Sequence, residues 1–469
     1  DKQHRITIIR CVLSCLETKG ERMTALATLK RGSRGPEVTE LQLILLRLGY
    51  NLGTADGIFG LKTMQAVIQF QNNNNLTPDG VVGPMTKQVL QSKNQGGQLL
   101  YTVQSGDTFY KIAFMFNLEL TYLIAANPGV NPLNLRTGQQ IRIPKPQPKP
   151  VLKRSVGGWI PYWLQAQAFR SVQNHPDVYN NLSPFWYEVQ ASGEILKYTG
   201  AEDTTILSFA RTHGIKLLPL IANAFSSEQI SAVLNNPINR QHHINNIARL
   251  LSQFNYDGID INYENLFVKD KEIFVIFLHE LKVALAAIGK QLIVTVHAKP
   301  DAFGDWSGSE AHDYIGIGQA ADFVRIMGYD FHWFGGEPGP IAPVAWLDRV
   351  LAYAVSTIPK NKLVLGVPTY GYDWPLAPEQ KGKGITYSSA ISTAKRYNAP
   401  IIEDALLGPH FTYTVNEIVH EVWFIDATAF APFLDLVNYY DINGIVMWYL
   451  GAEDPKIYDV IKIKFQPTM

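Results

Sequence analysis

Apolar residues recur at helical spacing early in the chain and at strand spacing later. Val38, Leu41, Leu45 and Leu48 lie three to four residues apart, and Gly49 stops the run. Residues 64–71 repeat an amphipathic helical pattern. Beyond residue 154, short apolar runs alternate with longer helical ones. Eight of the short runs read as buried strands: 156–163, 183–189, 216–221, 258–264, 292–297, 323–329, 363–369 and 444–448. Helical patterns lie between most of them, at 204–212, 226–254, 269–288, 343–358 and 427–440. Strand–helix alternation of this length predicts an α/β chain with a (β/α)8 TIM barrel over residues 154–469. An open doubly wound sheet is the alternative, but no Gly-rich phosphate loop supports it. The stretch between the seventh and eighth strands is too long for one helix. Its polar run 379–384 and the strand-like pieces 411–415 and 421–425 predict a small α+β insertion on the rim.

The fourth strand concentrates the candidate chemistry. It reads Tyr256-Asp257-Gly258-Ile259-Asp260-Ile261-Asn262-Tyr263-Glu264. Side chains alternate along a strand, so Asp260, Asn262 and Glu264 share one face, while Ile259, Ile261 and Tyr263 face covering helices. Polar groups on a buried strand are costly without a purpose. Barrel chemistry sits at the C-terminal strand ends. Those ends also carry Tyr162 and Trp163, Glu188, Asn223, His297, Tyr329 and Asp330, and Trp448. Aromatic faces beside carboxylates suit the apolar faces and hydroxyls of sugars.

Composition narrows the partners. A chain of 469 residues accommodates two to four domains, and 46% hydrophobic with 17% charged residues describes folded ones. Lys+Arg and Asp+Glu both number 41, which argues against nucleic acid or an anionic membrane as the main partner and leaves a neutral polymer open. Cys11 and Cys15 imply no disulfide framework or cysteine-based metal site elsewhere, and no metal or cofactor is signalled. No stretch approaches the ~20 apolar residues of a membrane span. The apolar segment 6–16 is interrupted by Arg10 and has no clear cleavage site, so no signal peptide is read. Met23 is a candidate start, and residues 1–28 are an uninformative extension.

One phrase ahead of the barrel occurs twice. Asp56-Gly57-Ile58-Phe59-Gly60-Leu61-Lys62-Thr63 returns as Asp79-Gly80-Val81-Val82-Gly83-Pro84-Met85-Thr86. Asp-Gly makes a tight turn and Thr caps the next helix. The doubled phrase resembles the peptidoglycan-binding domain, a small helical domain, over residues 29–92. After a polar linker, residues 101–144 read as strand–helix–helix–strand, from Tyr101-Thr102-Val103-Gln104-Ser105-Gly106-Asp107-Thr108 to the returning Leu135–Pro144 segment. This βααβ unit resembles the LysM domain, which implies an N-acetylglucosamine-containing glycan as target. A Pro-rich linker follows over residues 145–153.

The barrel itself resembles family 18 of the glycoside hydrolases. That family carries D-x-x-D-x-D-x-E at the end of the fourth strand, where this chain has Asp257, Asp260, Asn262 and Glu264. It carries M-x-Y-D on the sixth, matched by Met327-Gly328-Tyr329-Asp330, and a Trp on the eighth, matched by Trp448. With both binding domains, the chain looks like the spore-cortex-lytic N-acetylglucosaminidases of germination. The resemblance implies association with the cell wall or spore, a monomer, and peptidoglycan or a related polymer as partner. It further implies substrate-assisted retaining hydrolysis. Glu264 is the expected general acid, Tyr329 the acetamide holder, and Asp260 and Asn262 its helpers. Asp257, Met327, Asp330, Trp448, Tyr162 and His297 are expected to bind substrate. One position departs from the family: Asn262 replaces an Asp. Asn accepts a hydrogen bond but carries no charge. Losing ~1.5–3 kcal/mol of charge-assisted bonding slows turnover by about one to two orders of magnitude. A hydrogen bond from Asp260 to Asn262 is expected to compensate in part. A glycan-binding protein with weak turnover is the alternative function.

Overall fold

The computed structural model describes residues 28–467 apart from 51, 54, 56, 95–98, 105–106, 117, 119, 132–134 and 145–151. Readings made on residues 1–27, on Asp56, Ser105 and Gly106, and on most of the two linkers lie outside the described residues. The chain divides into two units, Asp1–Gln147 and Pro148–Met469.

In the first unit, helices α1 (Pro36–Arg47), α2 (Leu61–Asn73) and α3 (Pro84–Asn94) each start directly after a glycine. The repeated phrase works through a glutamine that the pattern does not contain. Gln42 of α1 accepts from the Gly57 amide at 2.8 Å and donates to Ile58 O and Thr63 Oγ1, both at 3.0 Å. Gln71 of α2 does the same one repeat later, accepting from the Gly80 amide at 2.9 Å and donating to Val81 O at 2.9 Å and Thr86 Oγ1 at 3.2 Å. Both glutamines are buried, so each loop exchanges water for an amide clamp. Gly57 and Gly80 have φ of 73° and 70°, which explains the residue at both turns. Next come β1 (Leu99–Thr102), α4 (Phe109–Met115), α5 (Leu120–Ala125) and β2 (Gln140–Ile143). β1 and β2 pair antiparallel, with Thr102 opposite Gln140. Asn127 follows α5 and locks onto β2, accepting from the Arg142 amide and donating to Arg142 O.

The second unit is a closed parallel barrel. Its strands are β3 (Leu152–Pro161), β4 (Asn181–Val189), the broken pair β6 (Lys216–Leu217) and β7 (Leu220–Ala222), β8 (Gly258–Asn262), β9 (Gln291–His297), β10 (Phe323–Met327), β11 (Leu363–Pro368) and β16 (Gly444–Trp448). A hairpin strand, β5 (Ile195–Lys197), follows β4, and pairing of β3 with β4 closes the ring. β17 (Phe465–Pro467) pairs with β3 at Leu152, Lys153 and Arg154, so the first two of these belong to the barrel unit rather than to the expected linker. Pro219 sits where the third strand breaks, because proline donates nothing to a ladder.

Helices α6 (Gln165–Asn174), α7 (Thr204–Thr212), α8 (Ser227–Asn235), α9 (Pro237–Gln253) and α10 (Lys271–Ala287) cover the first half of the barrel. The single helix expected over 226–254 is two. Pro237 has no amide proton, and the Asn236 side chain accepts from the Ile238 and Asn239 amides to start α9. On α10, Phe274, Phe277, Leu278, Leu281 and Leu285 form one buried stripe, and Phe274 and Phe277 pack on Tyr263 behind β8. Each buried Phe contributes roughly 2–3 kcal/mol. Short helices α11 (Ser307–Glu310) and α12 (Tyr314–Ala320) precede α13 (Val344–Thr357). The insertion between β11 and β16 is an antiparallel sheet of β12 (Gly371–Pro375), β13 (Lys383–Ile385), β14 (His410–Val415) and β15 (Ile418–Trp423), ordered β13-β12-β15-β14, with helix α14 (Tyr387–Arg396) on it. Helices α15 (Ala427–Tyr440) and α16 (Ile457–Lys464) complete the unit. Among the described residues no helix is long and apolar enough to cross a membrane.

Candidate active site

Polar residues of several strands fill the barrel interior below its mouth. Asp260 is fully buried and ion-paired to Arg325 at 2.5 Å. Its Oδ2 also accepts from Trp159 Nε1 at 2.9 Å, and its Oδ1 accepts from Thr295 Oγ1 at 2.7 Å. Arg325 donates further to Ser183 Oγ at 2.5 Å and Asn181 Oδ1 at 2.7 Å and lies over the Trp159 ring. Asp260 thus accepts three hydrogen bonds and Arg325 donates three, which offsets the cost of burying the pair. This corrects one expectation: Asp260 is held by Arg325, Trp159 and Thr295 and makes no bond to Asn262. Gly366 leaves the room for this layer, since a Cβ there would stand 2.7 Å from Ile326 O, 3.2 Å from the Tyr329 ring and 3.3 Å from Trp159.

Glu264 lies one layer higher, with a 17% exposed side chain. Asn223, at the end of β7, clamps its backbone from both sides. The Glu264 amide donates to Asn223 Oδ1 at 2.9 Å, and Asn223 Nδ2 donates to Glu264 O at 2.7 Å. Asn262 Nδ2 donates to Glu264 Oε1 at 3.2 Å. The other side of the same amide, Asn262 Oδ1, is buried and has no partner. His297, at the end of β9, places Nε2 at 3.6 Å from Glu264 Oε2, and that nitrogen is buried without a partner too. Burial raises the Glu264 carboxyl to about 7; the Asn262 bond opposes that rise and the field of Asp330 adds to it.

The opposite wall is aromatic. Tyr329 stands between Trp159 and Trp448, with ring centroids 6.4 Å from each. Trp448 continues to Trp163 at 6.1 Å, and Tyr162 packs on Trp163 at 4.9 Å. Tyr162 is stacked on Tyr198 at 4.3 Å, which covers one of its faces. Asp330 has φ of 59° and accepts from the Tyr370 and Tyr372 hydroxyls. Burial raises its carboxyl above the ordinary range despite those two donors. Met327 is buried at the end of β10, below Tyr329.

Asp257 falls outside the site. It stands before the first residue of β8, exposed, with Oδ2 accepting from the Leu217 amide at 2.8 Å. Seven residue steps, most of them along β8, separate it from Glu264, about 23 Å at 3.3 Å per residue, so it ties the barrel bottom, far from the mouth. Sequence reading left Arg325, Thr295, Trp159, Tyr370 and Tyr372 unassigned. Arg325 did carry a signal: a lone charge inside the apolar run 323–327 is rarely buried unpaired.

Comparison with known proteins agrees with this architecture. The description "Glycosyl hydrolases family 18" matches residues 168–453, a peptidoglycan binding domain matches 34–90, and a LysM domain matches 101–144. YdhD of Bacillus subtilis (strain 168) is 33% identical over 75% of this chain and 84% of its own. The cortical fragment-lytic enzyme of Bacillus anthracis is 31% identical over 61% of this chain and 68% of its own. The crystal structure of the Bacillus megaterium QM B1551 spore cortex-lytic enzyme SleL is similar with a TM-score of 0.63 and 30% identity, covering 79% of this chain and 87% of that one.

Proposed function

Because the chain belongs to glycosyl hydrolase family 18, we propose that it is a retaining β-N-acetylglucosaminidase that cuts β-1,4 bonds of peptidoglycan, with spore-cortex fragments as substrate. The names of its relatives suggest that substrate class, and the peptidoglycan-binding and LysM domains agree with it and with a place at the wall or spore. One observation carries the chemistry: Glu264, largely buried with its carboxyl raised to about 7, stands beside an Asn262 amide oxygen that has no partner. Glu264 gives its proton to the glycosidic oxygen. The acetamide carbonyl of the substrate then attacks its own anomeric carbon. Asn262 Oδ1 accepts the acetamide N–H, and the Tyr329 hydroxyl donates to its carbonyl. The Glu264 carboxylate next takes a proton from water as the water oxygen bonds to the anomeric carbon and the acetamide oxygen leaves it, which completes retention. Trp448 forms the floor, and Asp330, Tyr162, Met327 and His297 border the sugar.

A second reading, a wall-glycan-binding protein with weak turnover, is favoured by the charges. Asp260 is matched by Arg325, and Asn262 has no charge to balance the developing cation. Mass spectrometry of cortex muropeptides after incubation with the purified chain separates the two. New reducing N-acetylglucosamine ends, absent with Glu264→Gln, are the expected result. Asn262→Asp is expected to turn over about tenfold faster. Unchanged muropeptides together with retained binding to the wall would establish the second reading. Activity is expected to fall above about pH 7, as the acid loses its proton.

A further inference from the structure

Two unpaired buried polar atoms flank Glu264, and the proposed mechanism uses only one of them. The other is His297 Nε2. Its backbone is held on both sides: the His297 amide donates to His312 Nδ1 at 3.0 Å and Tyr314 donates to His297 O at 2.7 Å, while His312 is itself held by donating Nε2–H to Tyr263 O at 3.0 Å. Trp306 packs edge-on at 4.7 Å. The imidazole Nε2 faces Glu264 Oε2 at 3.6 Å.

Which oxygen of Glu264 carries the acid proton follows from its neighbours. Oε1 accepts from Asn262 Nδ2, so the proton belongs on Oε2, on the side of His297. An acid proton facing a bare imidazole nitrogen would close the gap to about 2.7 Å. The observed 3.6 Å leaves the buried Nε2 and Oε2 unbonded, as a proton facing a proton would.

We propose that His297 is a positioning residue for Glu264, presenting Nε2–H to Oε2 and bonding to it only after the acid has become a carboxylate. This rests on reading Glu264 as the general acid. In the step, the Oε2–H bond breaks and its electron pair stays on Oε2. The proton joins the glycosidic oxygen as the bond from that oxygen to the anomeric carbon breaks. Oε2 then accepts from Nε2–H, and the imidazole neither gains nor loses a proton. The bond exists in the product of proton transfer and not in the ground state, so it lowers the barrier rather than tightening binding. It offers Glu264 a second donor at an active site where Asn262 brings no charge.

The surrounding groups are compatible with a neutral imidazole. Burial and the neighbouring His312 hold His297 well below the usual histidine range. Lys299 gives its ammonium to His312 O and lies over the Tyr314 ring. Facing Glu264 from the other side are Asp330 and Tyr329, while Asp260 below is matched by Arg325.

The test is an infrared titration of the full chain, following the carboxyl band that Glu264→Gln removes. His297→Phe and His297→Ala both delete the donor, and each is checked for folding by circular dichroism. The midpoint of the band is expected to rise by about one pH unit in either variant, since a hydrogen bond to the charged form has been lost. His297→Gln, which keeps an N–H, is expected to stay near wild type. In cortex-fragment assays the same deletions are expected to lower kcat about tenfold with KM little changed, and to move the basic limb of the pH profile upward. A midpoint that stays in place or falls in both deletions overturns the proposal. The titration needs no turnover, so it decides the role of His297 even if wild-type chain and Glu264→Gln prove equally inactive, which would overturn the enzyme reading instead.

Discussion

Position 325 places a guanidinium in the middle of an apolar strand, and its worth depends on Asp260. Removing one member of a buried pair strands the other's charge at a cost of about 3–5 kcal/mol. Arg325→Met is therefore expected to lower the unfolding free energy from urea titration by that amount, whereas Arg325→Met with Asp260→Leu recovers much of it. Equal losses in the single and double variants would show that packing, not charge, matters there. Asp260, Asn262 and Glu264 were legible because a strand repeats every two residues, which a single sequence displays. The partner of Asp260 was not legible, because Arg325 lies 65 residues away and only barrel closure joins them. Asp257 misled for the opposite reason: it is close in the motif, yet a strand carries contiguous residues steadily apart.

Helices and strands show the same division between local and distant signals. The strand ends of β16 and the helix α15 matched the expected 444–448 and 427–440 because each is bounded by strong local pattern. The break between α8 and α9 was also local, an Asn-Pro pair inside a long apolar rhythm, and the rhythm concealed it. In the first unit, the repeated turns were visible but the glutamines that hold them were not, since they lie 15 and 9 residues from the glycines they bond. Hydrogen exchange checks their importance. The Gly57 and Gly80 amides are expected to exchange as slowly as helix amides, although both sit in turns. Gln71→Leu leaves the Gly80 amide and Thr86 without that partner, is expected to cost about 1–3 kcal/mol, and should release Gly80 exchange while leaving Gly57 slow.

At the scale of the whole molecule, buried imidazoles set the response to acid. Burial holds His243 and His312 at about 4, below the 6.5 of an exposed histidine. Between those values the unfolded chain binds more protons than the folded one, so their contribution to stability is full above about 6.5 and is lost as pH falls toward 4. His243→Gln, destabilising at pH 7.5 through the lost bond to Tyr263, is expected to lose less ground to wild type by pH 5, as judged by the difference in Tm. A gap that stays constant with pH would sink this account. The β17–β3 ladder has another consequence. It brings Phe465 opposite Leu152 and Pro467 opposite Arg154, so the ends of the barrel unit lie side by side. Such a unit has no privileged first residue. A short bridge from residue 467 back to 152, with the chain opened in the exposed 378–381 segment, would give a circular permutant with the same interior, because nothing in the ring of strands depends on where synthesis begins.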